Sequence, residues 1–196
     1  MKNLTTKILA VAIIMMAITI GAKAQTTYKI VTDKDVTVKV LGTSNVHDWV
    51  MSAGKIESQG NFKVEGGALH SLSSFTFSID AKSLKSEHES MDKRTYKTIK
   101  ADDYPKIIYK LMSATITTIQ KGKYLIKAKG DLTIAGATQS IVMDITAIVN
   151  ADNTIICSGT ESLKLTDYKI NPPSFMLGAM KVKNDLTIQF NLIYKN

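Results

Sequence analysis

Only one cysteine, Cys157, occurs in the 196-residue chain. Without a second thiol there is no internal disulfide and no thiolate metal site, so the apolar core alone must supply the stability. The three histidines, His47, His70 and His88, are scattered, with no H-x-x-x-H pair to seat a metal from one helix face. No G-x-S-x-G segment is present, and Cys157 lies in an ordinary strand pattern between Ile156 and Ser158. Nor is there a block of five or six like charges, or a basic stripe interleaved with aromatics, which excludes the usual nucleic-acid surfaces. Repeats and low-complexity linkers are also missing.

What the chain does have begins with a leader. Lys2 and Lys7 precede an apolar run from Ile8 to Ile20, and Ala22-Lys23-Ala24 supplies small residues where a signal peptidase cuts. The run is short for a membrane span, so Met1 to Ala24 reads as a secretory signal, with the mature chain starting at Gln25. No cysteine stands at the cut, so lipoprotein anchoring is not indicated. Cleavage takes Lys2, Lys7 and Lys23 from the 25 basic residues, leaving 22 against 17 acidic ones, a net charge of +5. Residues 25–196 form one domain at this length. Its dispersed positive charge suits solubility and at most a transient contact with anionic membrane surfaces.

From Tyr28 onward strand patterning dominates. Val36, Val38 and Val40 alternate with polar residues, as do Phe75, Phe77 and Ile79, and Leu186, Ile188, Phe190 and Leu192. Segments 56–64, 107–112, 124–128 and 155–165 add less regular strands between glycine and Asp-Asn turns. The longest signal is Gly130 to Val149, in which Leu132 and Ile134, then Ile141, Met143, Ile145, Ala147 and Val149, alternate on either side of an Ala135 to Gln139 turn. That is an antiparallel hairpin with one apolar face, and a one-residue slip would send the whole set to water. Two strands alone are marginal, so this pair needs partners. The expected fold is all-β: an extended antiparallel barrel or a sandwich of about eight to ten strands.

One segment changes period. Ser86-Glu87-His88-Glu89 fits a capping box, Glu89 and Lys93 form an i,i+4 pair, and Pro105 bars extension, which predicts one short helix over 87–100. Its apolar stripe of Leu84, His88, Met91, Thr95 and Ile99 is narrow, suited to covering a barrel end or edge. A second irregular piece, Thr166 to Met180, holds Asn171-Pro172-Pro173, which must be extended, and then a loop with Phe175, Met176, Leu177 and Met180. Apolar side chains on a loop want a partner, either the open end of the barrel or a ligand at a portal.

Four segments together carry a resemblance. Gly42-Thr43-Ser44-Asn45-Val46-His47-Asp48-Trp49, Ser78-Ile79-Asp80-Ala81-Lys82-Ser83-Leu84, Ala101-Asp102-Asp103-Tyr104-Pro105-Lys106-Ile107 and Gly130 to Thr138 follow in order over Tyr28 to Tyr194. The chain resembles the YceI-like family of exported bacterial polyisoprenoid-binding proteins, in its variant with a Pro-Pro loop. The resemblance implies a lipocalin-like barrel of about eight strands whose tunnel holds a long isoprenoid, of quinone or polyprenyl phosphate type. It also implies a periplasmic or secreted protein that is not an enzyme and has no cofactor beyond a bound lipid. Burying about ten methylenes of a tail is worth ~8 kcal/mol gross, so an apolar tunnel needs little polar chemistry.

The expected tunnel lining is Phe75, Phe77, Ile79, Leu132, Ile134, Met143, Ile145, Leu186, Ile188 and Phe190. Met176, Leu177 and Met180 are expected near the opening, where methionines adapt to a flexible chain. His47 and Trp49 complete the set: His47 bonds a loop carbonyl or meets a ligand headgroup, and Trp49 closes the barrel base. A catalytic His47-Asp48 pair is disfavoured, because neighbours on a strand point to opposite faces. Two readings stay open at this stage, a lipid carrier and an envelope protein whose barrel is filled by its own side chains and acts through its surface. The chain could act as a monomer, or as a homodimer paired along an exposed strand.

Overall fold

The period-two segments fold as twelve strands in a computed structural model that describes residues 26–196. The expected leader, Met1 to Ala24, and Gln25 lie outside the described residues. In chain order the strands are β1 (Thr26–Ile30), β2 (Thr37–Ser44), β3 (Asp48–Ala53), β4 (Ile56–Glu65), β5 (Ala68–Asp80) and β6 (Leu84–Lys85). The helix α1 (Glu89–Thr98) follows, then β7 (Lys106–Gln120), β8 (Lys123–Ile134), β9 (Ala137–Val149), β10 (Ile155–Lys164), β11 (Ser174–Phe175) and β12 (Met180–Lys195). Eight of them, β1, β4, β5, β7, β8, β9, β10 and β12, pair antiparallel into a closed ring. A ring of eight leaves an interior just wide enough for side chains or one small ligand.

Closure is made twice along β12. At its C-terminal end β1 joins through Lys29 to Lys195 and Ile30 to Tyr194. Farther up, β2 takes over the same edge from Asn191 to Val182, and β3 and β6 extend it. The β2–β3–β6 flap therefore completes the wall only at the upper end, where α1 packs beside it, with the Thr95 hydroxyl 3.4 Å from Met51 Sδ.

Several elements differ from the sequence expectation. The Gly130 to Val149 hairpin forms, but its turn is two residues, Ala135 and Gly136, at φ 49° and 77°, and β9 already begins at Ala137. Positive φ at both central residues matches the right-handed strand twist, so the tight turn wins over the longer one. Strand β7 continues to Gln120, because Ala114 and Ile116 keep the alternation after the bulge at Met112. The capping box does not form. Asp92, only 3% exposed, instead accepts the Ser86 amide at 2.7 Å and the Ser86 hydroxyl at 2.8 Å, and Lys85 approaches at 3.3 Å. A buried carboxylate needs those donors more than the exposed Glu89 does, so Ser86 serves Asp92. Glu89 keeps its expected ion pair with Lys93 at 2.8 Å. At the other end, Lys100 turns left-handed at φ 51° and the Ala101 amide donates to Tyr96 O at 2.8 Å, which stops the helix.

The lower end of the barrel is closed by aromatic rings. Phe62 meets Tyr28, Phe75 and Tyr194 at centroid distances of 5.5, 6.4 and 5.6 Å, and Phe75 also meets Tyr109 at 6.3 Å. Tyr194 is fully buried and its hydroxyl shares a hydrogen bond with Ser58 Oγ at 2.8 Å. Trp49 does not close this base. It pairs with Gly42, which pairs with Leu186, and at ~3.3 Å per residue that level stands roughly 26 Å up β12 from Tyr194. Gly42 has no side chain to offer, and the indole takes the space that a methyl there would occupy.

Candidate functional site

Inward-pointing residues leave a void rather than meeting in the middle. A cavity of about 380 Å³ runs through the upper barrel, lined by side chains from ten strands, β2 to β10 and β12, with α1 and the 165–175 segment. All ten residues expected to face the interior line it: Phe75, Phe77, Ile79, Leu132, Ile134, Met143, Ile145, Leu186, Ile188 and Phe190. Ile79 and Ile145 are buried and the other eight half-buried, as expected for walls around open space. The same strand phase adds wall residues beyond the expected ten. Ile126 and Ala128 precede Leu132 at even spacing, and Val38, Val40, Met51 and Leu192 sit on their own inward phases.

The mouth lies at the upper end, between α1, the β2–β3 turn and β11. His88, Met91, Arg94 and Thr95 of the helix region face it. Across from them, Phe175 places its ring under the Arg94 guanidinium at 4.6 Å. His47, Trp49 and Met180 also line the cavity. His47 Nδ1 lies 2.8 Å from the carbonyl of Asp48, so the imidazole engages backbone and not the neighbouring carboxylate. Leu177 is fully exposed at φ 56° and is not part of the cavity wall. The left-handed residue turns the chain back into β12 and throws its side chain outward. The Met176 side chain lies outside the described residues.

A few polar groups interrupt the apolar wall. The hydroxyls of Tyr109 and Tyr168 are buried without a hydrogen-bond partner. Burial pushes both phenols up to about 12, helped by Asp131 and Glu161 for Tyr109 and by Asp167 and Glu161 for Tyr168. Glu161 also faces the cavity, and burial, with Asp144 nearby, raises its carboxyl above the ordinary range. Cys157 is in the wall as well, its thiol pushed up to about 12 by burial. Tyr109 shares the inward phase of Ile107, and Cys157 and Glu161 that of Gly159 and Leu163, which is the signal that could have revealed them, whereas Tyr168 sits in a 3-10 turn after β10 and has no such phase. Among the described residues, no group of three or more His, Cys, Asp or Glu could hold a metal.

Outside the mouth is a second hollow of about 680 Å³, bounded by the end of α1, the β8–β9 turn and residues 168–175. It shares Arg94, Thr98, Tyr168, Ile170, Pro173 and Phe175 with the tunnel, so the two are contiguous.

A family model described as YceI-like domain matches residues 23–194. Among solved structures, the chain is similar to Burkholderia cenocepacia BcnA at 17% identity and a TM-score of 0.65, covering 81% of this chain and 95% of that one. It is similar, at 10% identity and a TM-score of 0.65, to a polyisoprenoid binding domain from Saccharophagus degradans implicated in plant cell wall breakdown, over 86% of this chain and 97% of that one. A Campylobacter jejuni YceI protein aligns at 18% identity and a TM-score of 0.53 over 92% and 96% of the two chains. At these identities the likeness is one of fold. A comparison with curated proteins finds no match.

Proposed function

The chain belongs to the YceI-like domain family, and from that premise we infer that it is an exported lipid-binding protein that shelters a long isoprenoid tail in its barrel without turning it over. The observation that carries this reading is the continuous apolar cavity of about 380 Å³, floored by aromatic rings and open beside α1. Such a volume falls within the range of small-molecule sites, and its wall offers mostly hydrocarbon. Each buried methylene of a tail adds ~0.8 kcal/mol, enough to hold a quinone or polyprenyl phosphate by its chain. The void is what separates this reading from a barrel filled by its own side chains. A binding role in the Saccharophagus relative supports the ligand class.

Export to the periplasm or beyond is supported by the leader sequence, Lys2 and Lys7 before the Ile8 to Ile20 run and Ala22-Lys23-Ala24 after it. Loading from a bilayer is supported by two exposed apolar tips beside the mouth, Val46 and Leu177. Asn45 ties their loops together, donating to Ala179 O at 2.8 Å and accepting the Lys181 amide at 2.7 Å. The test is native mass spectrometry of the exported protein after gentle extraction. An added lipid mass that unfolding releases is the expected result, and a bare chain under several extraction conditions would overturn the carrier reading.

A further inference from the structure

We propose that the hollow outside the tunnel mouth is a site for a phosphate-bearing lipid headgroup, built by Arg94, Lys97 and Lys100 on one side and by Tyr168 and Lys169 on the other. The inference rests on the tail-binding reading and specifies which amphiphile the tunnel takes. Four cations line this hollow and no carboxylate does. Among the described residues none of the four forms an ion pair with an acidic side chain, whereas Lys82, Lys93, Lys106 and Lys127 each do. Arg94, Lys97 and Lys100 recur every third residue, which keeps them on one side of α1 and its exit. Lys169 reaches the same space from the turn opposite, and the Arg94 guanidinium, stacked on Phe175, keeps its N–H edges for an acceptor.

Tyr168 supplies an independent sign of a ligand. It is 3% exposed, its hydroxyl has no partner, and it lines both the tunnel and the hollow. A buried hydroxyl without an acceptor is costly, and a headgroup oxygen at the junction would satisfy it. With its pKa pushed up to about 12 the phenol stays protonated and donates at any physiological pH. A neutral quinone ring would leave the four cations unanswered and a single carboxylate would neutralise one of them. A phosphate monoester carries roughly −1.5 to −2 with three strong acceptor oxygens, and a diphosphate carries more. Because the hollow shares its wall with the tunnel mouth, the phosphate is placed on a lipid rather than free in solution.

Trp49 is the only tryptophan and lines the tunnel, so its fluorescence reports tail entry whatever the headgroup. Geranylgeranyl monophosphate, geranylgeraniol and inorganic pyrophosphate are titrated against the mature protein, its Lys97→Ala/Lys169→Ala variant and Tyr168→Phe. The phosphate lipid is expected to bind at least about tenfold tighter than the alcohol, a gap that narrows with salt. The double lysine variant should shrink that gap to about twofold while its affinity for the alcohol and its urea midpoint stay unchanged. Tyr168→Phe should weaken the phosphate lipid about fivefold more than it weakens the alcohol. Equal binding of phosphate lipid and alcohol would overturn the headgroup site and leave the tunnel standing. Pyrophosphate competing as well as the phosphate lipid would overturn the lipid-borne assignment, and failure of both lipids to bind would overturn the tunnel and this proposal together.

Discussion

Placing a phenyl ring in the tunnel tests whether the void holds the tail. Ala128 is 1% exposed, lies on β8 opposite Ala114 and Met143, and faces the cavity. In Ala128→Phe the added ring must project from the wall toward the cavity, and its burial contributes ~1.5–3 kcal/mol against a strain of about the same size. Folding stability should therefore stay within ~2 kcal/mol of the native protein, read from the urea midpoint at constant m-value. The tail fares differently. A ring that displaces about six carbons of the ligand at ~0.8 kcal/mol each removes about 5 kcal/mol of binding, a loss of more than a thousandfold in Kd. Ala128→Val, displacing about two carbons, should cost only ~1.6 kcal/mol, or roughly fifteenfold. Trp49 fluorescence titration with geranylgeraniol reads both variants. Affinities within about threefold of the native value, in proteins that still unfold cooperatively, would refute the placement of the tail in this cavity.

Three further outcomes follow from individual contacts. Gly136→Ala puts a methyl into the Tyr104 ring at φ 77°, so it should cost at least ~1–2 kcal/mol in a urea melt, and Tyr104→Ala in the same chain should recover the steric part. Burial works to raise the Asp92 carboxyl, but the Ser86 amide and hydroxyl and Lys85 outweigh it and hold the group below its ordinary value. A lowered folded pKa means the stabilisation is complete above the unfolded value of about 4 and is lost as pH falls through that value towards the folded one. Asp92→Asn should lose ~1.5–3 kcal/mol at neutral pH and flatten the acid limb of a pH–stability profile, and an unchanged limb would contradict the assignment. Cys157, buried with its thiol raised to about 12, should react with a thiol reagent only as fast as the protein unfolds. Labelling of the native protein at the rate of a free thiol would show that the wall is open there.

The legible part of this protein is what local physics dictates. Period-two patterning in 75–79, 130–149 and 186–192 committed those residues to strands with one inward phase, and a strand has no other way to hide its apolar set. The inward phase therefore marked the ten wall residues before the strand pairing was known. Polar alternatives decided only by competition were not legible: Ser86 could cap Glu89 or serve Asp92, and nothing local announced that Asp92 would be buried. Trp49 was misplaced for the same reason, since its level depends on the pairing of β3 with β2 and of β2 with β12.

Sequence alone determined the exterior chemistry, the strand-rich class, the short helix and the apolar face that must be enclosed, because each follows from residues near one another in the chain. Closure of the ring decided the rest. It set Phe62 against Tyr28 and Tyr194 as a floor, left a void among the inward side chains above it, and brought Arg94 and Lys97 across from Tyr168 and Lys169. Those groups are some seventy residues apart in the chain, and only the return of the 165–175 segment over the barrel mouth makes them one surface.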